Sequence, residues 1–274
     1  MSIKEQRKVA QDIGRVIQIF KDSRGRLRPH FIVTGPSGSG KTFLIEQEAK
    51  KANIPFIEMC ASQLTKEGNS GNSLSKELVP LGPLNGQLVI CLVDEFDKLF
   101  ISGNSNNKLA KDTTTEVQNE FLKVLESTTT KVIGEYGHYD KVSVENVLFI
   151  FAGAFNGEPN LTVDRLRDFG IKTEFLGRVG ILYNLEKISV NSMYQALKES
   201  ENLNIYLEMF PDVDREDVEC DIMEVVEAKH EENTTGIRLL NTLVDQYFIN
   251  GGKLEAKQVE QTTFSTKLNF DASS

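Results

Sequence analysis

Apolar residues recur at helical spacing between residues 3 and 20, at Ile3, Val9, Ile13, Val16, Ile17 and Phe20. The pattern predicts an amphipathic helix, broken by Gly25 and Pro29. Residues 30–34 form a short apolar run, read as a buried strand. A Gly-rich turn follows, then a helical stretch over 41–52 and a second strand over 55–59. Residues 68–73 are polar and read as a flexible loop. Residues 87–93 are almost wholly apolar, as a central parallel strand covered on both faces must be. A Ser/Asn-rich loop at 102–108 leads to a helix at 116–125, with Val117, Phe121, Leu122, Val124 and Leu125 on one face. Residues 131–144 alternate around Gly134 and Gly137 and predict a hairpin. Strands are expected again at 146–151 and 180–185. Beyond Glu186 the pattern turns helical, over 189–202, 216–231 and 235–249, and residues 251–274 are a polar tail.

Strands alternating with helices imply an α/β fold with a parallel sheet flanked by helices. The change near residue 186 divides the chain into a large domain, 1–185, and a smaller, mainly helical domain, 186–274. The 274 residues suffice for a sizeable core. A net charge of −9 disfavours non-specific attraction to nucleic acid or anionic membrane. No apolar run approaches the ~20 residues of a membrane span, and the polar start lacks a signal sequence, so a cytoplasmic protein is expected. Cys60, Cys91 and Cys220 form no CxxC pair and read as small buried apolar residues in a reducing cytosol. His30, His138 and His230 show no zinc spacing with them.

The strongest chemical signal is Gly35-Pro36-Ser37-Gly38-Ser39-Gly40-Lys41-Thr42, which fits G-x-x-x-x-G-K-[ST] between a predicted strand and a predicted helix. Glycines let the backbone curl until several N–H groups face phosphate oxygens, and the helix start adds its positive dipole end. Lys41 is expected to reach the β- and γ-phosphates of ATP and Thr42 to bind Mg²⁺, with Phe43 next in the nucleotide-contacting run. The strand at 88–93 ends in Asp94-Glu95. An acidic pair at the carboxyl end of a parallel strand lies beside such a loop. Asp94 is expected to hold Mg²⁺ and Glu95 to orient and polarise the attacking water. A solvated lysine in a Gly/Ser loop, or two solvated acids, would be the bland readings of either motif alone.

Asp94-Glu95-Phe96-Asp97-Lys98-Leu99 resembles the DEIDK stretch of the ClpX and HslU unfoldases, AAA+ ATPases. Phe149-Ile150-Phe151-Ala152-Gly153-Ala154-Phe155 is similar to their fourth-strand segment, Glu174-Phe175-Leu176-Gly177-Arg178 to their PEFIGR box, and Thr235-Gly236-Ile237-Arg238 to their TGAR motif. The order matches as well. The resemblance implies an AAA+ P-loop fold, with Arg178 as an arginine finger reaching a neighbouring subunit's nucleotide and Arg238 touching the γ-phosphate from its own chain. Hydrolysis would then need a homo-oligomeric ring, a hexamer in that family, acting on a protein client. For either arginine alone, a surface ion pair is the plain alternative.

The chain departs from that pattern in three places. Gly68-Asn69-Ser70-Gly71 stands where the family has a Gly-aromatic-Val-Gly pore loop, and it lacks the aromatic paddle of the usual grip on a threaded polypeptide. The segment from Phe155 to Phe169 is short and lacks an Ile-Gly-Phe tripeptide, so no ClpP-type peptidase partner is expected. Ala152-Gly153 offers no polar sensor; Asn156 is a candidate, against the plainer reading of a turn before Gly157. Asp164, Arg165 and Arg167 read as a solvated helix face. Tyr136 and Tyr139 stand near the hairpin tip, either contacting a partner or packing across strands. Two other functions stay open: a motor or loader on nucleic acid, for which Lys108, Lys111, Lys131 and Lys141 would supply basic groups, and an ATP-gated binding module.

Overall fold

The computed structural model describes residues 3–64, 73–101, 108–133 and 138–254, with the backbone alone at 101 and 108–114. The 68–71 stretch and Tyr136 lie outside the described residues. The chain forms two compact units. The first runs to Ser192 and includes Thr234–Ile237; the second comprises Met193–Asn233 and the residues from Arg238 onward.

The first unit opens with a 3-10 turn and α1 (Arg7–Asp22), β1 (Phe31–Thr34), α2 (Lys41–Ala52) and β2 (Phe56–Cys60). The short α3 (Leu74–Glu77), β3 (Val89–Asp94), α4 (Lys98–Ile101) and α5 (Lys108–Glu126) follow. Next come the hairpin β4 (Thr129–Ile133) and β5 (Tyr139–Ser143), then β6 (Val147–Gly153), α6 (Val163–Asp168), α7 (Thr173–Arg178) and β7 (Ile181–Asn184). Five strands make one parallel sheet in the order β2-β3-β6-β1-β7; β4 and β5 pair antiparallel as a separate ribbon.

The continuous apolar strands are explained by burial on both faces. Successive residues point to opposite sides, and each side has its own core. Phe31, Val33, Ile90, Leu92, Leu148 and Ile150 pack with Ile13, Ile17 and Phe20 of α1 and Leu44 and Ile45 of α2. Their neighbours Ile32, Cys91, Val93, Phe149 and Phe151 face Val117 and Phe121 of α5 and Phe175 of α7. In that second core Phe96 lies 4.8 Å from Phe151, 5.2 Å from Phe175 and 6.1 Å from Phe121, ring centroid to ring centroid. Burying each ring contributes roughly 1.5–3 kcal/mol. The cluster therefore ties the segment after β3 firmly to the sheet.

The second unit is helical: most of α8 (Val190–Lys198), α9 (Glu201–Met209), α10 (Arg215–Lys229) and α11 (Arg238–Ile249). Val218, Ile222, Val225 and Val226 of α10 and Leu240, Leu243 and Val244 of α11 are buried. The single helix expected over 189–202 is two, because the Ser200 hydroxyl accepts from Leu203 N at 3.3 Å and caps a new helix. The last helix begins at Arg238 rather than 235, after Gly236 turns the chain at φ 60°. The four-residue α3 and α4 and the six-residue α6 and α7 are too short to show periodicity in the sequence.

Candidate functional site

The carboxyl end of β1 runs into the glycine-rich loop. Gly35, Gly38 and Gly40 have φ of 147°, 68° and 83°, and Lys41 begins α2. Gly38 is further constrained by a close neighbour: an added Cβ would stand 1.9 Å from the carbonyl oxygen of Thr235. There Ile237 N–H donates to Gly38 O at 3.2 Å. From the other side the Gln6 amide donates to the Ser39 carbonyl. Neither contact was legible in the motif.

Within the loop Lys41 is 9% exposed, and its ammonium donates to Gly35 O at 2.8 Å and Pro36 O at 3.0 Å. The Ser39 hydroxyl is buried and has no hydrogen-bond partner among the described residues. Phe43 is 46% exposed on α2. A buried cation, an orphaned hydroxyl and glycines held at positive φ are a cradle that a phosphate group fits.

The neighbouring strands supply the acids. The Thr42 hydroxyl donates to Asp94 Oδ2 at 2.8 Å, joining α2 to the end of β3. A hydroxyl and a carboxylate side by side form a hard-oxygen donor set of the kind Mg²⁺ takes. Glu95 follows at φ 54°, with its N–H on Asp94 Oδ1 at 2.7 Å. Its carboxylate oxygen Oε2 accepts from Ser62 Oγ at 2.6 Å and from Cys60 Sγ at 3.3 Å. Sequence reading missed Cys60 and Ser62. Their place follows from sheet register, in which Cys60 lies opposite Asp94, and no spacing along the chain reveals it. Glu58, also on β2, titrates above the usual carboxylate range because of burial first and the nearby Asp94 and Glu46 charges second. An acidic concentration of this kind would be relieved by a cation.

Two further groups finish this end of the sheet. Thr34 Oγ1 donates to Asn184 Oδ1 at 2.7 Å. Asp97 is 1% exposed and accepts from Phe155 N at 3.1 Å, fixing the chain just beyond β6. Asn156 has φ 60° and sits in the turn before Gly157, in keeping with its plain reading.

The predicted arginines are placed differently. Arg178 ends α7, and its guanidinium pairs with Glu126 of α5 at 2.7 Å, both side chains being about half exposed. Arg238 heads α11 in the second unit and is exposed. Arg165 pairs with Glu158, which precedes α6, at 2.8 Å, and Arg167 pairs with Asp164 within it, so the charged face of α6 is solvated and paired. Tyr139 is 51% exposed on β5. Among the described residues there is no cluster of three or more His, Cys, Asp or Glu side chains poised on a metal, and no helix long and apolar enough to cross a membrane.

Comparison with known proteins agrees with this geometry. The model of the ATPase family associated with various cellular activities (AAA) matches residues 31–174, from β1 into α7. The chain is 27% identical over 280 aligned positions to the ATP-dependent Clp protease ATP-binding subunit ClpX of Borrelia duttonii, covering 84% of this chain and 65% of that protein. It is 27% identical over 310 positions to the protein of the same name from Bacteroides fragilis, covering 96% of this chain and 72% of that one. The chain thus spans about two-thirds of the length of these relatives. The family model covers more than half of the sequence, including four of the five sheet strands and the Thr42–Asp94 contact, and this chain is a member of the ATPase family associated with various cellular activities.

Proposed function

We propose that the protein hydrolyses ATP as a homo-oligomeric ring, a hexamer, and uses the cycle to remodel a partner protein. The observation that carries the reading is the Thr42–Asp94 contact, 2.8 Å long, beside Glu95 and the buried Lys41. The loop amides and Lys41 hold the triphosphate, with Lys41 exchanging two carbonyl partners for phosphate oxygens. Thr42 and Asp94 hold Mg²⁺, which when bound neutralises charge on the phosphate oxygens. Glu95, freed from Ser62, orients the attacking water and takes up its proton.

Arg178 completes the pocket of a neighbouring copy. Its present partner does not forbid this, since an exposed Arg–Glu pair contributes only ~0–1 kcal/mol. Arg238, on the second unit, senses the γ-phosphate and couples its loss to movement of that unit. The partner is a protein rather than nucleic acid, consistent with the acidic chain and the Clp-type relatives. A ClpP-type peptidase is not part of the reading: between Phe155 and Phe169 the chain holds only a 3-10 turn and α6, with no room for a long docking loop.

The test is Glu95→Gln. This variant is expected to bind ATP at near wild-type affinity, to lose ~10²–10⁴-fold in turnover, and to retain its client in a pull-down with ATP. Wild-type turnover per protomer should rise with protein concentration as rings assemble. Normal hydrolysis by the variant would refute the assigned role.

A further inference from the structure

Away from the nucleotide end, the first unit has an open cleft of about 360 Å³ between α3, α5 and the hairpin ribbon. Three ammonium-bearing side chains line it: Lys123 of α5, Lys131 of β4 and Lys141 of β5. Ser75 and Thr130 contribute hydroxyls, and Glu120 is the single acid in the lining. None of the three lysines makes an ion pair or hydrogen bond with a described residue.

The hairpin register makes the cleft more telling. Lys131 and Lys141 are direct cross-strand partners. Like charges directly opposite one another weaken a β-ribbon. In a chain with a net charge of −9, carboxylates to separate them were abundantly available, yet two lysines face each other across the strands with a third on the adjoining helix.

We infer that this cleft binds an acidic segment of the partner polypeptide, its carboxylates set among Lys123, Lys131 and Lys141. The occupant is a peptide and not a nucleic acid, because the cleft uses lysine point charges without the arginine forks suited to phosphate. The inference rests on the reading of the protein as a remodeller of proteins, but peptide binding is measurable without ATP, so failure of one leaves the other intact.

The test is fluorescence anisotropy on the full chain, without nucleotide, using a labelled aspartate-rich peptide and its asparagine counterpart. The aspartate peptide alone should bind, more weakly as salt rises. Each single Lys→Gln change should weaken it roughly two- to fivefold, and the triple change by about tenfold or more. Lys131→Glu gives a second signature. It places opposite charges across the ribbon, so it should raise the melting temperature by roughly 1–3 °C while peptide binding falls. Basal ATP turnover should stay unchanged in all these variants. Undiminished binding by the triple variant overturns the inference, as does equal binding of the asparagine peptide. Tighter, lysine-dependent binding of a single-stranded DNA of matched charge would assign the cleft to nucleic acid instead and overturn it too.

Discussion

At its amino end β1 is preceded by His30, and at its carboxyl end it runs into the loop that carries Lys41. Both side chains are buried, at 6% and 9% exposure, and both find hydrogen bonds, yet the bonds differ in kind. His30 Nδ1 accepts from Phe149 N–H at 3.1 Å, inside the sheet. Burial first, and Arg28 second, lower its pKa to about 4, so the ring stays neutral. Lys41 donates to two loop carbonyls, Gly35 O and Pro36 O, whose role a phosphate can take over. The same strand therefore shows two uses of a buried polar group. One accepts from a backbone amide of the neighbouring strand; the other donates to loop carbonyls that a phosphate can replace. Strand carboxyl ends are where parallel sheets place ligands, and the contrast follows from that polarity.

The comparison predicts that changes at groups assigned to the nucleotide alter turnover and leave stability, while changes at His30 do the reverse. The largest effect is expected from Arg178→Ala. Turnover per protomer in assembled rings should fall by ~10³-fold or more, while the melting temperature hardly moves, because the Arg178–Glu126 pair is half exposed. Steady-state hydrolysis and calorimetry on the same sample check this; a large loss of stability would show that Arg178 is structural. The smaller effect concerns His30. Its folded pKa of about 4 lies below the ordinary 6.5, so the unfolded chain takes up the proton first. The stabilisation is complete above pH 6.5 and is lost as pH falls towards 4. The total loss approaches ~3 kcal/mol. Urea unfolding across that range should show the slope, and His30→Asn should remove it. A flat profile for the wild type would break the contrast at this end.

Much of the candidate site was legible in the sequence, because its parts are contiguous. Gly35 to Thr42 is a local motif whose backbone requirements dictate its residues, and Asp94-Glu95 ends a strand whose apolar run marks it as central. The sheet was legible for a similar reason: strands buried on both faces leave no alternation to confuse. The rest depends on pairing between distant segments. Ser62 and Cys60 reach Glu95 only because β2 lies beside β3 in one register. Gln6 and Thr235 close on the loop from residues far along the chain. The break at Ser200 was missed because a cap competes locally with a continuous apolar pattern. The Lys131–Lys141 opposition depends on hairpin register, which alternation alone leaves open.

The most direct test is a crystal structure of the Glu95→Gln protein with ATP and Mg²⁺. The account predicts phosphate oxygens on the amides of residues 37–42, the Lys41 ammonium moved from Gly35 O to phosphate, and the metal between Thr42 and Asp94. Nucleotide bound elsewhere, with Lys41 still on its loop carbonyls and Thr42 still donating to Asp94, would contradict it.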